Sequence, residues 1–246
     1  SAAAGFLFAG ARPIEDYREL VGGRPLVRDR SEEREPLLRL DIVLQTLDRA
    51  GVRVPRPRTW VLPLDAPLPT GLTFPLFVRT AESSWKKGGH ISRVRTMAEL
   101  EDEASLLRRA LGWDAVILAR EWLDLATAGE GRYGPLPQEV RTWVVDSVPF
   151  AWSFHYLHLV ARPRGFPLAA DDLETLRNLA GEVGSAFRSR LVVADFARGE
   201  DGHWWFIEAG PGSCAGTGHE QVFKGVARRL RGEEAKEDGN AVGGWL

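Results

Sequence analysis

The sequence predicts an α+β fold of two sheet-and-helix lobes with mostly antiparallel strands. Three observations carry that reading. Apolar residues recur at helical spacing in a few separated segments. Strand-like runs come in turn-linked pairs. Strict strand–helix–strand alternation is missing, which excludes a doubly wound dinucleotide-binding domain. The 246 residues suffice to bury a full core, as one large domain or two small lobes.

Residues 1–36 read as a short polar lead-in with a brief strand at 6–9. From 37, "LLRLDIVLQTLDRAG" places Leu37, Leu40, Leu44 and Leu47 on one helical face, and Gly51 ends the helix. "VRVPRPRTWVL" then runs extended, because each proline disfavours helix in the residue before it. "FPLFVRT" is a strand and "HISRVRT" its return. Thr96 with Glu99 forms a capping box that opens a helix over 97–110, and "DAVILAREWL" is a buried strand. "ATAGEGRYGPLP" reads as a loop. "QEVRTWVVDSVPFAWSFHYL" is a hairpin with its turn near Asp146–Pro149. A helix over 171–188, capped by Asp171 with Glu174, precedes a strand at 191–198. After the turn "EDG" come a strand at 203–208, a glycine-rich loop over 210–218, and a helix near 220–231. The tail 233–246 is charged, glycine-rich and frayed. The main domain is expected over 37–232, its first lobe over 55–118 and its second over 119–232.

Composition narrows the function. Hydrophobic residues make up 44% and charged residues 27%, ordinary for a soluble globular chain. A net charge of −2 gives no basis for a membrane partner, and the arginines form no stripe interleaved with aromatics for nucleic acid. One cysteine, Cys214, excludes an internal disulfide. No run nears the ~20 apolar residues of a membrane span, so the expectation is a cytoplasmic protein. Neither common glycine-rich phosphate signature occurs, no histidine pair has zinc spacing, and no nucleophile elbow appears.

Four stretches carry chemistry instead. In "VRTAESSWKKGGHISRV", Lys86 and Lys87 are two of only four lysines in an arginine-rich chain, set before Gly88 and Gly89. That pattern fits an exposed hairpin tip, or a flap whose ammoniums and amides cover a polyphosphate. Arg79, inside the apolar strand before it, favours the flap. "AREWL" ends an apolar strand with Arg120, Glu121 and Trp122, either solvated or a hinge between lobes. In "QEVRTWVV", Glu139 and Arg141 share a face, either as a surface pair or with the guanidinium free to bind phosphate or carboxylate. In "LVVADFARGEDGHWWFIEAG", a two-residue turn at Asp201-Gly202 sets Asp195 directly opposite Glu208. Val193, Trp204 and Phe206 are expected on that face, so the two carboxylates need a divalent cation, a shared proton or bulk water. On that reading Glu208→Gln leaves the empty protein as stable as before, or more so.

In order, these segments resemble the ATP-grasp superfamily over about residues 37–230. The matching pieces are "LDIVLQTLDRAGVRVPRPRTW", "FPLFVRTAESSWKKGG", "VILAREWL", "EVRTWVVD" and "VVADFARGEDGHWWFIEAG". The resemblance implies the ATP-grasp fold, two lobes clasping a nucleotide, with ATP and Mg2+ as cofactors. It implies that Arg79, Lys86, Lys87 and Gly88 hold phosphates, that Arg120, Glu121 and Trp122 lie by the adenine or ribose, and that Arg141 and Lys86 act on the transferred phosphoryl group. Asp195, Glu208 and Ser213 would hold magnesium. Arg79 stands where the family's first lysine is usual, as in the branch that contains a cell-division-cycle-type assembly protein of a eukaryotic translation initiation factor. Gly210 stands where the family places a final asparagine ligand. The implied activity is ATP-dependent ligation, in which a carboxylate activated as acyl-phosphate is attacked by an amine or similar nucleophile. The acceptor is open and extends to a peptide or protein. The alternatives are an ATP-binding assembly protein without turnover, or an RNA-modifying or ligating enzyme.

Overall fold

The computed structural model describes residues 31–82, 92–131, 134–155, 165–212, 215 and 220–230. The expected strand at 6–9, Lys86, Lys87, Gly88, Ser213, Cys214 and the tail at 233–246 lie outside the described residues. The fold is α+β, with antiparallel pairing throughout its described sheets. No described helix is long and apolar enough to cross a membrane.

The first sheet has the order β1-β4-β2-β3, formed by β1 (Thr59–Leu62), β2 (Leu76–Thr80), β3 (Arg93–Val94) and β4 (Ile117–Glu121). Helix α2 (Met97–Leu111) covers one face, where Leu100, Ala104 and Leu107 pack on Leu76, Val78, Ile117 and Ala119. Thr96 caps this helix as expected, its hydroxyl accepting from the Glu99 amide at 3.2 Å. Glu99 in turn accepts from the Arg95 amide at 2.6 Å, so the box closes one residue early. Because β4 pairs with both β1 and β2, the first sheet continues to Glu121.

The second sheet has the order β10-β9-β7-β8: β7 (Glu139–Val145), β8 (Val148–Phe154), β9 (Leu191–Arg198) and β10 (Trp204–Pro211). Helices α1 (Leu40–Arg49) and α3 (Ala170–Ser185) pack on one face, burying Leu44, Leu47, Leu176 and Val183 against Val140, Val144, Phe196 and Phe206. On the other face α4 (Glu220–Leu230) lays Val222, Val226 and Leu230 over Trp143, Val145, Leu191 and Val193. That helix covers one end of the face. The other end carries the polar residues described below.

Several expectations change. The described part of the lead-in has a helical turn at Ser31–Arg34 and a 3-10 turn at Glu35–Leu37, and Arg34 is buried. Residues 127–131 and 134–137 are paired strands and not a loop, β5 (Thr127–Gly131) against β6 (Gly134–Pro137). Their glycines and prolines conceal the period-two signal that marks a strand. Helix α3 starts at Ala170, and the residue whose side chain reaches back is Asp172, accepting from the Ala169 amide at 3.1 Å. The last strand runs on to Pro211.

Candidate active site

Both hairpins of the second sheet turn on short local signals. Asp146 and Ser147 adopt φ of 50° and 64°, the mirror-image turn suited to strand twist. The β9–β10 connection spans three residues, not two: Gly199 and His203 close it with a 2.8 Å backbone bond, and Gly202 sits at φ 84°. From that turn a regular ladder would set Ile207 opposite Asp195 and bury Glu208 against the helices. A bulge between Phe206 and Glu208 shifts the register by one, and Glu208 pairs with Asp195 after all. Trp204 and Phe206 therefore lie on the opposite, helix-covered face. Only Val193, of the three expected neighbours, shares the face of Asp195. A second bulge, between the Val144–Pro149 and Trp143–Ala151 pairs, sets Ser153 opposite Arg141.

The two central strands are regular and pair Arg141 with Asp195. One rung thus crosses the whole sheet: Ser153, Arg141, Asp195, Glu208. Arg141 donates to Asp195 through Nε at 2.8 Å and Nη2 at 2.7 Å, a buried two-point contact. Burial pulls the Arg141 guanidinium down, but the charge and hydrogen bonds of Asp195 outweigh it and hold it above its ordinary range. Arg79 reaches from the first sheet, and its Nη1 donates to Glu208 Oε2 at 2.6 Å. Burial alone would raise Glu208; the charge and hydrogen bond of Arg79, helped by Arg141 and His155, bring it down to about 2. The two facing carboxylates are not left bare. Each has its own guanidinium.

Arg120 lies diagonal to Arg79, since Arg79 pairs with Leu118 and Phe77 with Arg120. Its Nη1 donates at 2.8 Å to the carbonyl of Ile207, the bulge residue. Its Nη2 is buried with no hydrogen-bond partner among the described residues. Burial first, and Arg79 second, push this guanidinium down to about 9, still charged at neutral pH. A buried, partly unsatisfied cation beside another is expensive unless an anion joins it.

Glu121 and Trp122 stand at the end of β4. Glu121 faces Arg58, 3.5 Å from its Nη2, and its amide donates to the Arg58 carbonyl at 2.8 Å. The guanidinium of Arg93 stacks 4.3 Å above the Trp122 ring. These two residues are not brought against the rung; Arg79, Arg120, Arg141, Asp195 and Glu208 are.

Sequence reasoning missed Ser153 and His155 and weighed Glu139 only as a surface partner of Arg141. Glu139, His155 and Asp195 each offer a ligand atom, and these atoms lie within 4.8 Å of one another. Glu139 and His155 approach to 3.8 Å and are both largely buried. Burial pushes Glu139 up, His155 opposes this, and Asp195 and Glu208 add to it. The alternation of β8 was a usable signal for His155, but the bulge at Phe150 inverts it.

Residues 29–230 match a family described as an ATP-grasp domain, the third family of its clade. Solved structures share the fold. D-alanine–D-alanine ligase from Bacillus anthracis, complexed with ATP, superposes with a TM-score of 0.61 at 15% identity, covering 88% of this chain and 68% of that one. N5-carboxyaminoimidazole synthase from Aspergillus clavatus, with ADP and 5-aminoimidazole ribonucleotide, gives 0.61 at 14% identity, covering 91% and 59%. L-amino acid ligase from Bacillus licheniformis gives 0.50 at 14%, covering 80% and 45%. The chain thus spans roughly half to two-thirds of the length of these enzymes. No curated protein matches it by sequence.

Proposed function

Because the chain belongs to this family of ATP-grasp domains, we propose that it is an ATP-dependent ligase that joins a carboxylate to an amine or similar nucleophile. The observation that carries this is the pair of first-sheet cations, Arg79 and Arg120, buried against the carboxylate rung with an Arg120 donor unsatisfied among the described residues. A polyphosphate supplies the missing acceptor. Arg79 and Arg120 would take its oxygens, with Lys86, Lys87 and Gly88 over it and Glu121 and Trp122 toward the base.

Asp195 and Glu208 suit a divalent cation by chemistry and placement: two carboxylates opposite each other on adjacent strands, about 5 Å apart at Cβ. Ser213 would add an oxygen. Magnesium bound there would neutralise phosphate charge during transfer. Arg141 presents a fixed fork toward the same rung, suited to the oxygens of a phosphate or an acyl-phosphate. Ligation of this kind requires positioning and charge neutralisation and no protein nucleophile. Arginine in place of the first lysine supports a divergent branch, related to the translation-factor assembly protein. The acceptor extends to a peptide or protein, and the setting to the cytoplasm.

Thermal melting with Mg-ATP, against GTP and no nucleotide, tests the binding half, since a ligand of the native state alone must raise the melting temperature. ADP or AMP release in the presence of candidate acids and amines tests turnover. Gly210 favours a second reading, ATP retained without ligation by an assembly protein. Tight Mg-ATP binding with no release under any acceptor would select it.

A further inference from the structure

The site has two chemically different ends. Toward the first sheet there is an excess of positive charge: Arg79 is matched by Glu208, and Arg120 has only a carbonyl and a hydroxyl as acceptors among the described residues. Toward β8 the balance reverses. Asp195 is matched by Arg141, whereas Glu139 has no guanidinium bonded to it among the described residues. Its nearest described partner is the imidazole of His155 at 3.8 Å, beyond hydrogen-bond range. A buried carboxylate with no cation bonded to it carries a desolvation penalty that a bound cation removes.

A second observation points the same way. Ser153 is 1% exposed, and its Oγ has no hydrogen-bond partner among the described residues. It stands on the rung beside Arg141, and His155 stands one rung along, its amide bonded to the Glu139 carbonyl at 3.1 Å. Buried hydroxyls are ordinarily satisfied, so an orphan beside a site marks where a ligand belongs. Glu139, Ser153 and His155 therefore line one end of the polar face; Arg141 stands between Ser153 and Asp195 along the rung, while Glu139 and His155 reach within 4.8 Å of Asp195.

We propose that Glu139 and Ser153, flanked by His155, form the subsite for the nucleophile, and that its ligand is a primary ammonium group. The inference rests on the ligase reading above and names the class of its second substrate. An ammonium carries one positive charge and three N–H donors, which matches one unmatched carboxylate and one idle hydroxyl. Placed there, the amine lies on the same face as Arg141 and at the opposite end from the phosphate-binding cations. That order lets it meet the activated carboxyl group from the side away from ATP once one N–H proton has passed to the Glu139 carboxylate: the free amine then forms the C–N bond, the C–O bond to phosphate breaks, and inorganic phosphate leaves with the amine's second proton.

The test is a melting experiment on the full chain saturated with Mg-ATP, titrated with methylammonium, ethanolammonium and glycinamide. Tetramethylammonium, which carries the charge without N–H donors, is the control. A primary ammonium should raise the melting temperature beyond the control. Glu139→Gln should raise the half-saturating amine concentration about ten-fold or more relative to its own Mg-ATP response, consistent with loss of a charged hydrogen bond. Ser153→Ala should raise it several-fold, and carries the test alone if Glu139→Gln does not fold. A protein that responds to Mg-ATP but treats every amine like tetramethylammonium overturns this inference and leaves the ligase reading standing. Stabilisation by Mn2+ without nucleotide that Glu139→Gln abolishes would also overturn it, in favour of a metal site. No response to Mg-ATP overturns both.

Discussion

At the scale of single residues, Glu208 has a double life. In the empty protein it neutralises Arg79, whose side chain is only 4% exposed, and with nucleotide bound it is a proposed magnesium ligand. Glu208→Gln should therefore destabilise the empty protein, by about 1–3 kcal/mol, because it leaves a buried guanidinium with a neutral partner. This reverses the expectation drawn from two bare facing carboxylates; a denaturant midpoint measured on both proteins decides it. The same pair sets an acid limit. Glu208 is held down to about 2 from 4.5, so its contribution is complete above pH 4.5 and is lost as pH falls toward 2. Melting temperature against pH in metal-free buffer should drop over that window in the wild type and drop less in Glu208→Gln. The pairing of Asp195 with Glu208 was reached from a two-residue turn that is a three-residue one in the structure, and it holds because the bulge between Phe206 and Glu208 shifts the register back by one. The arginines opposite them were not legible, because Arg79 is 129 positions from Glu208 in the chain and no local pattern ties a strand of one lobe to a strand of the other.

At the scale of elements, two glycines separate conformational cost from packing cost. Gly202 sits at φ 84° with nothing near the position a Cβ would take. Gly202→Ala should cost about 1 kcal/mol, from the backbone alone. Gly184, in α3, would bring a Cβ to 2.4 Å from Val144 on β7, so Gly184→Ala must push the helix off the sheet. A loss of about 1–3 kcal/mol is expected, and urea unfolding of the two variants compares them directly. Helices α1, α2 and α4 were legible because their apolar spacing is regular and their ends carry recognisable signals. The β5–β6 pair was not, since Gly129, Gly131, Gly134, Pro135 and Pro137 supply no apolar alternation and read as a loop. Strand β10 was found but its end and its faces were not, for a bulge is set by what the backbone meets. Here the amide of Phe206 donates to Pro55 at 2.7 Å and the carbonyl of Ile207 accepts from Arg120.

At the scale of the whole molecule, Arg79–Glu208 and Arg120–Ile207 are side-chain bonds that join the two sheets at the site. Nucleotide should strengthen this join. Arg79→Ala should weaken Mg-ATP binding about ten-fold or more, consistent with loss of a charged contact, while its effect on adenosine stays small. Titration calorimetry with both ligands checks the contrast. Replacing Lys86 and Lys87 together by alanine should show the same preference for ATP over adenosine, and equal losses would make that stretch an ordinary hairpin tip. Element order was readable across the chain because β2–β3, β5–β6, β7–β8 and β9–β10 are pairings of consecutive strands. The pairings β1–β4, β2–β4 and β7–β9 join strands that are not consecutive and required knowledge of which strands meet.

The inner strands β7 and β9 keep a regular ladder, while each outer strand carries one extra residue. For lineages of this domain that arrangement separates what is fixed from what can drift. The Arg141–Asp195 pair is locked by the helices packed behind it, but a single codon gained or lost near either turn can exchange which side chains the rim offers a ligand. Sequence comparisons that forbid gaps within strands will then misalign the rim residues, so substrate preference is best traced by register and not by column.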